Sequence, residues 1–153
     1  MRRKTLETVG MVVNGLSIAL YFFLVSAVEV PRAFPALTVI GLLLFATGMS
    51  LVVLSVIALV RNQGAGLIDR GVFGWVRHPM YLGAMLLFAS FFFLHPHWLM
   101  LPLSAVNIAI VYSFILQGDQ LNQAKFGSAY TVYAQSVPRI NLLAGILRRL
   151  RGR

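Results

Sequence analysis

Four long stretches of this chain are almost free of ionisable side chains, and this limits what it can fold into. They run roughly from Thr8 to Val28, Ala36 to Val60, Tyr81 to Leu94 and Trp98 to Gln117. A helix needs about 20 apolar residues to cross some 30 Å of hydrocarbon. The first two stretches exceed that length and the fourth meets it. The third is short, and spans only if the bilayer thins locally or Met80 and Tyr81 extend it. With 59% hydrophobic and 11% charged residues in 153, the chain carries more apolar surface than a soluble domain of its size can hide. The expected fold is an all-α integral membrane protein, one domain over residues 1–153, with about four transmembrane helices.

Charge placement sets the expected topology. The formal net charge is +9, but the basic residues flank the apolar runs and form no soluble face for nucleic acid. Arg2, Arg3 and Lys4 precede the first run, and Arg61, Arg70 and Arg77 lie between the second and third. Arg148, Arg149, Arg151 and Arg153 end the sequence. The first-to-second loop holds only Arg32, which could pair with Glu29, and the His95-Pro96-His97 turn holds no lysine or arginine. The positive-inside rule then puts both termini and the middle loop in the cytoplasm, with an inner or plasma membrane as the setting. The basic start, the long apolar run and Val25-Ser26-Ala27 imitate a signal peptide. The run is longer than a usual h-region, so a retained helix is expected.

Several function classes lose support. The interiors of the apolar runs hold no Asp, Glu, Lys or Arg, which argues against a proton-coupled transporter or channel. No internal repeat suggests a pseudo-symmetric transporter. The absence of cysteine removes disulfides, thiolate nucleophiles and Cys-based metal sites. Asn14 and Asn107 are expected to tie helices together, His95 and His97 to cap a hairpin without binding metal, and Phe91-Phe92-Phe93 to face lipid or pack.

Polar character returns at Gly118. Phe126, Tyr130, Tyr133 and Val137 recur at helical spacing, so a cytoplasmic amphipathic helix is expected from near Ser128 to just before Pro138. Leu142 to Leu150, with its arginines, offers a second interfacial turn. The most informative cluster is Arg77-His78-Pro79-Met80-Tyr81, where an arginine and a histidine stand at the mouth of an apolar run. Such groups are costly beside lipid unless something binds them.

The chain reads Gly71-Val72-Phe73-Gly74-Trp75-Val76-Arg77-His78-Pro79-Met80-Tyr81-Leu82-Gly83, then a helical hairpin, then Phe126-Gly127, Tyr130, Tyr133 and Val137-Pro138-Arg139. Over residues 67–141 it resembles the isoprenylcysteine carboxyl methyltransferase and phospholipid methyltransferase family of small membrane enzymes. The first two spans are similar only in hydropathy. The resemblance implies an S-adenosylmethionine site lined by His78, Tyr81 and Leu82, with Asp119 and Tyr130 from the tail. Arg77, His78 and Arg139 are the catalytic candidates: Arg77 would meet the cofactor carboxylate and Arg139 an anionic substrate head group. Each has a plainer reading: Arg77 as an interfacial anchor, Arg139 as a topology charge, Tyr81 as a belt aromatic and His78 as a helix cap.

The family usually carries two glutamates just before the leucine and Phe-Gly of the tail; here Gly118 and Asp119 stand there. Asp119 keeps a carboxylate for the cofactor ammonium, or is a helix-terminal residue, and Gly118 keeps nothing. Gly64-Ala65-Gly66 is similar to a small cofactor element, and by itself is a flexible loop. Methyl transfer from a sulfonium needs no metal; it needs in-line placement and exclusion of water. The expected activity is methylation of a lipophilic or small acceptor, whether carboxylate, thiol or amine, at the cytoplasmic face. Two alternatives stay open: a catalytically silent relative acting as a membrane partner, and a membrane reductase using a nicotinamide cofactor. Nothing basic and glycine-rich enough for a dinucleotide stands out. The oligomeric state does not follow from the sequence.

Overall fold

The computed structural model describes residues 2–29, 35–64 and 66–151, with side chains from Thr8 onward. The expected Glu29–Arg32 pair, Ala65, Arg153 and the side chains of Arg2, Arg3 and Lys4 lie outside the described residues. Among those described, all regular structure is helical: α1 (Arg2–Ala27), α2 (Pro35–Arg61), α3 (Pro79–Leu94), α4 (Met100–Phe126), α5 (Ser128–Ser136) and α6 (Leu142–Arg151), with a 3₁₀ turn at Gly71–Gly74. Pro35 and Pro79 stand first in their helices, where the missing N–H costs nothing. Thr8–Ala27 within α1, together with α2 and α4, is long and apolar enough to cross a membrane, and α3 is a shorter apolar helix. The protein is therefore a multi-pass membrane protein with three helices long enough to span and one shorter apolar helix.

One boundary differs from the sequence reading in a way that matters. The apolar run ends at Gln117, but α4 continues to Phe126. Hydropathy reports the surrounding solvent, whereas helix continuation depends on backbone preference, and Gln, Leu, Ala and Lys all favour helix. Asp119 therefore projects from within a long helix and is neither a cap nor part of a loose tail. The helix stops at Gly127, whose φ of 55° and ψ of −127° suit a residue without Cβ. The next helix, α5, occupies the expected stretch.

Contacts order the bundle as α1, α4, α3, α2, each antiparallel to its neighbour. Gly10 of α1 lies under Phe114 of α4, and eleven residues further on Tyr21 shares a 2.9 Å hydrogen bond with Ser104. Ser104 in turn donates to the Phe88 carbonyl of α3 at 2.8 Å. Tyr21 also stacks on Phe91 with ring centroids 4.5 Å apart, so the first phenylalanine of the triplet packs inward.

Gly41, Gly48 and Ser55 form a small-residue stripe on α2, seven residues apart and all buried. A Cβ at Gly48 would stand 2.7 Å from the Gly83 carbonyl oxygen, and one at Gly83 2.6 Å from that of Gly48. With lipid as solvent, helices gain little from hiding apolar side chains, so close backbone approach of this kind is what packs them. Asn107 does not tie helices together, because its amide donates to the Leu103 carbonyl of its own helix at 2.7 Å. His95 and His97 do close the α3–α4 hairpin. The His95 N–H bonds the Phe91 carbonyl, and the His97 ring and carbonyl accept from Leu99 and Met100.

This topology puts the start of α1, the end of α2, the start of α3 and the end of α4 at one end of the bundle. The middle loop, α5 and α6 lie there too, and with them Arg61, Arg70, Arg77, Lys125, Arg139, Arg148, Arg149 and Arg151.

Candidate functional site

The site is built where the middle loop meets the segment after α5. Gly71, with φ of +62°, opens the 3₁₀ turn, and Val76 behind it is fully buried. Two backbone bonds then fasten the loop: Arg77 N–H to the Pro138 carbonyl at 2.9 Å, and His78 N–H to the Arg139 carbonyl at 3.3 Å. Pro79 begins α3 immediately, so Arg77 and His78 are held at the mouth of the helix. The reversal at Gly127 folds α5 back and turns Tyr130 and Tyr133 inward, both buried.

Arg77, His78, Tyr130 and Arg139 converge on one carboxylate. Asp119 Oδ1 accepts from His78 Nε2 at 2.7 Å, from the Tyr130 hydroxyl at 2.5 Å and from Arg77 Nη1 at 3.2 Å. Its Oδ2 accepts from Arg139 Nε at 2.7 Å. A carboxylate offers about four acceptor positions, two on each oxygen. Oδ1 is crowded and Oδ2 has room for one further donor. The Arg77 guanidinium also lies 6.0 Å from the Tyr130 ring centroid.

Burial and charge set the protonation states. Burial lowers the His78 pKa below the usual histidine value, outweighing the pull of Asp119 in the other direction. The imidazole is thus neutral at pH 7, and because Nε2 faces a carboxylate it carries its proton there, leaving Nδ1 as an acceptor. The Tyr130 phenol is raised, by burial first and then by its bond to Asp119, and stays a donor. Arg139 is raised by its bond to Asp119. Burial likewise raises Tyr133, whose hydroxyl donates to the Phe73 carbonyl at 2.6 Å and ties α5 to the loop.

Two clefts reach this cluster, and a third lies beside it. A polar one of about 290 Å³ lies beside Phe73, Arg77, Asn122, Lys125, Tyr130 and Tyr133. An open one of about 530 Å³ exposes Arg77, Asp119, Gln123, Tyr130 and Arg139. The third, about 380 Å³, is mostly apolar and lies on the helix side among Met11, Tyr81, Phe114, Gln117, Gly118 and Leu121. A larger cleft of about 730 Å³ between the end of α2 and residues 67–75 has none of the cluster residues in its lining.

The candidates from sequence fall as follows. Arg77, His78, Asp119, Tyr130 and Arg139 share one hydrogen-bonded group. The Tyr81 ring lies 5.9 Å from that of His78 and lines the apolar cleft. Leu82, half-buried, is linked by its N–H to the His78 carbonyl at 2.9 Å. Gly118 abuts the imidazole directly, since a Cβ there would stand 3.3 Å from His78 Cε1 and 3.7 Å from Nδ1. Gly64 and Gly66 border the polar cleft with positive φ. Asn122 and Lys125, which also line the polar cleft, carry no signal in the hydropathy pattern. They stand three and six residues after Asp119, a helical spacing that is visible only once α4 is carried past Gln117.

A family profile covers residues 7–125 of the chain. The chain belongs to the family DUF1295. Its description is a protein of unknown function. No curated protein and no solved structure matches the chain. The DUF1295 match takes in α2, α3, nearly all of α4 and three of the five clustered residues, Arg77, His78 and Asp119. Tyr130 and Arg139 lie beyond it.

Proposed function

We propose that this protein is an S-adenosylmethionine-dependent membrane methyltransferase, acting on a lipophilic or small acceptor where the basic end of the bundle meets the cytoplasm. The observation that carries the reading is the Asp119 cluster, which is open to two clefts on the loop side and has an apolar cleft beside it, whose lining residues Gly118 and Tyr81 adjoin the His78 ring. The motif resemblance supplies the chemical class, and the excess of basic residues at that end supplies the orientation.

The residues present suit such a cofactor. Arg77 Nε is buried and has no hydrogen-bond partner, a donor that a carboxylate would satisfy. Asp119 Oδ2 has room for one ammonium hydrogen. Tyr130 and Tyr133 offer aromatic surface in the polar cleft. Arg77, Asp119, Tyr130 and Tyr133 would hold the cofactor, which when bound supplies an electrophilic methyl group. The chain itself orients the acceptor and excludes water. The apolar cleft beside Tyr81 and Leu121 admits a greasy acceptor from the bilayer side, and Nδ1 of neutral His78, behind Gly118 of that lining, is the group to take a proton from an amine or thiol. A carboxylate acceptor needs no such base.

A second reading has one observation in its favour. The clefts carry Arg77, Lys125 and Arg139 against the single acid Asp119, a positive balance that suits the pyrophosphate of a nicotinamide dinucleotide and a membrane reductase. Calorimetric titration of the purified protein in detergent separates the two. Saturable binding of S-adenosylmethionine, lost in Asp119→Ala with helicity intact, is the expected result. Binding of the reduced nicotinamide cofactor instead assigns the reductase. Binding of neither assigns a catalytically silent membrane partner.

A further inference from the structure

α6 packs against the protein by its polar side. Gly145 is buried so closely on the middle loop that a Cβ there would collide with the Trp75 carbonyl oxygen. Arg148 Nη1 donates to the Gln135 and Ser136 carbonyls at 3.2 and 2.6 Å, satisfying acceptors left over at the end of α5. Arg149 Nη1 lies 3.0 Å from where a Cβ on Gly74 would be. Leu142 and Ile146 flank this contact half-buried, but three leucines point the other way: Leu143, Leu147 and Leu150 are 74%, 53% and 66% exposed. Their spacing of four and three residues makes one continuous stripe.

A leucine stripe turned outward needs a cover. Hydrocarbon alone does not suit it, because Arg148, Arg149 and Arg151 occupy the same short helix and cannot enter the bilayer core cheaply. The headgroup boundary suits both, with leucines in the acyl edge and arginines at phosphate level. The location agrees, since α6 follows the basic, loop-bearing end of a bundle that already spans the membrane. We propose that α6 is an interfacial clamp that docks on anionic lipid. Its outer stripe seats in the bilayer surface, and its inner face holds two walls of the site together. Trp75 lies two residues before Arg77, and Gln135–Ser136 close the helix that carries Tyr130 and Tyr133. Lipid docking of α6 therefore steadies both segments that reach Asp119, whatever reaction the site performs.

The absence of cysteine makes the test clean. Single nitroxides at Leu147→Cys and Ala144→Cys are placed in the full chain, reconstituted in phosphatidylcholine alone or mixed with phosphatidylglycerol. Oxygen, which concentrates in lipid, should relax the label at 147, and an aqueous nickel chelate the label at 144, with the contrast larger in the mixed bilayer. Arg151→Gln should reduce that lipid dependence by about fivefold, the factor expected for one basic residue at an anionic surface. A label at 147 as open to nickel as that at 144 in both bilayers overturns the docking. A label reached by neither reagent and broadened by a second spin overturns it too, by assigning the stripe to another copy. Equal depth in both bilayers overturns the anionic preference. The clamp is read by hydrogen exchange in the surface variant Leu147→Ser/Leu150→Ser. Amides of 72–78 and 130–136 should exchange several-fold faster while those in the middle of α3 do not change, and unchanged rates in both segments overturn it.

Discussion

Gly118 and His78 share one small space. The Cε1 edge of the imidazole lies 3.3 Å from the position a Cβ on Gly118 would take, so an absent side chain on α4 lets the ring reach Asp119 one residue further on. A glycine inside a helix gives up about 1 kcal/mol relative to alanine, and here the lost propensity makes room for the His78 ring. Gly118→Ala should leave thermal stability nearly unchanged, because the gain in propensity offsets a contact that a few tenths of an ångström relieve. Gly118→Val should push the ring off Asp119 and, on the proposed function, weaken S-adenosylmethionine binding about tenfold, the cost of roughly one charge-assisted hydrogen bond. Titration of both variants checks this, and equal affinity in valine and glycine forms would refute it.

Asp119 is the shared acceptor for four donors, two of them cationic. Asp119→Asn keeps the shape and removes the charge, leaving Arg77 and His78 buried against an amide that can also donate. A loss of about 2–4 kcal/mol is expected, in the range for breaking one side of a partly buried pair. Arg139, 39% exposed in its side chain, contributes little to that figure because water screens it. Unfolding in detergent, followed by circular dichroism, measures the loss; a variant as stable as the parent would show that the cluster is structurally idle.

The lowered His78 pKa gives stability a pH dependence of definite sign. Above the unfolded value near 6.5 the ring is neutral in both states and contributes no slope. As the pH falls below that value the unfolded chain takes up the proton first, so stability declines until the folded pKa is reached. His78→Gln should flatten this segment of the curve. Parallel slopes for parent and variant on the acid side of 6.5 would disprove the assignment.

Gly48 and Gly83 meet backbone to backbone, so the nearest atom at each position is a carbonyl oxygen that cannot swing aside. Gly83→Ala sets a Cβ 2.6 Å from the Gly48 carbonyl oxygen, and α2 and α3 must separate. An overpacking loss of about 1–3 kcal/mol is expected, whereas Gly15→Ala on α1, with open space around it, should stabilise slightly. The two variants side by side in a thermal-shift measurement separate packing from propensity.

Much of the architecture could be read from periodicity and length. The four apolar runs became α1 to α4 and the Phe126–Val137 spacing became α5, because side-chain burial in lipid or against a bundle imposes its pattern locally. The end of α4 could not be read the same way. Loss of hydropathy at Gln117 marks where the surroundings turn polar, and the helix has no reason to stop until Gly127. The error hid the helical register linking Asp119 to Asn122 and Lys125. Asn107 shows the opposite failure: a polar group within a span can donate to its own helix as easily as to a neighbour.

The sequence by itself determined that this chain spans a membrane, which end carries its charge, and which few residues were chemically out of place at an apolar mouth. Those properties follow from the solvent each segment must meet. Only the tertiary structure decided that Arg77, His78, Tyr130 and Arg139 bind the same carboxylate, and that α6 turns its leucines outward. Donors 11 to 42 residues away from Asp119 meet through antiparallel packing, a glycine reversal and two backbone bonds to the Pro138–Arg139 segment, and no local pattern records such long-range closure.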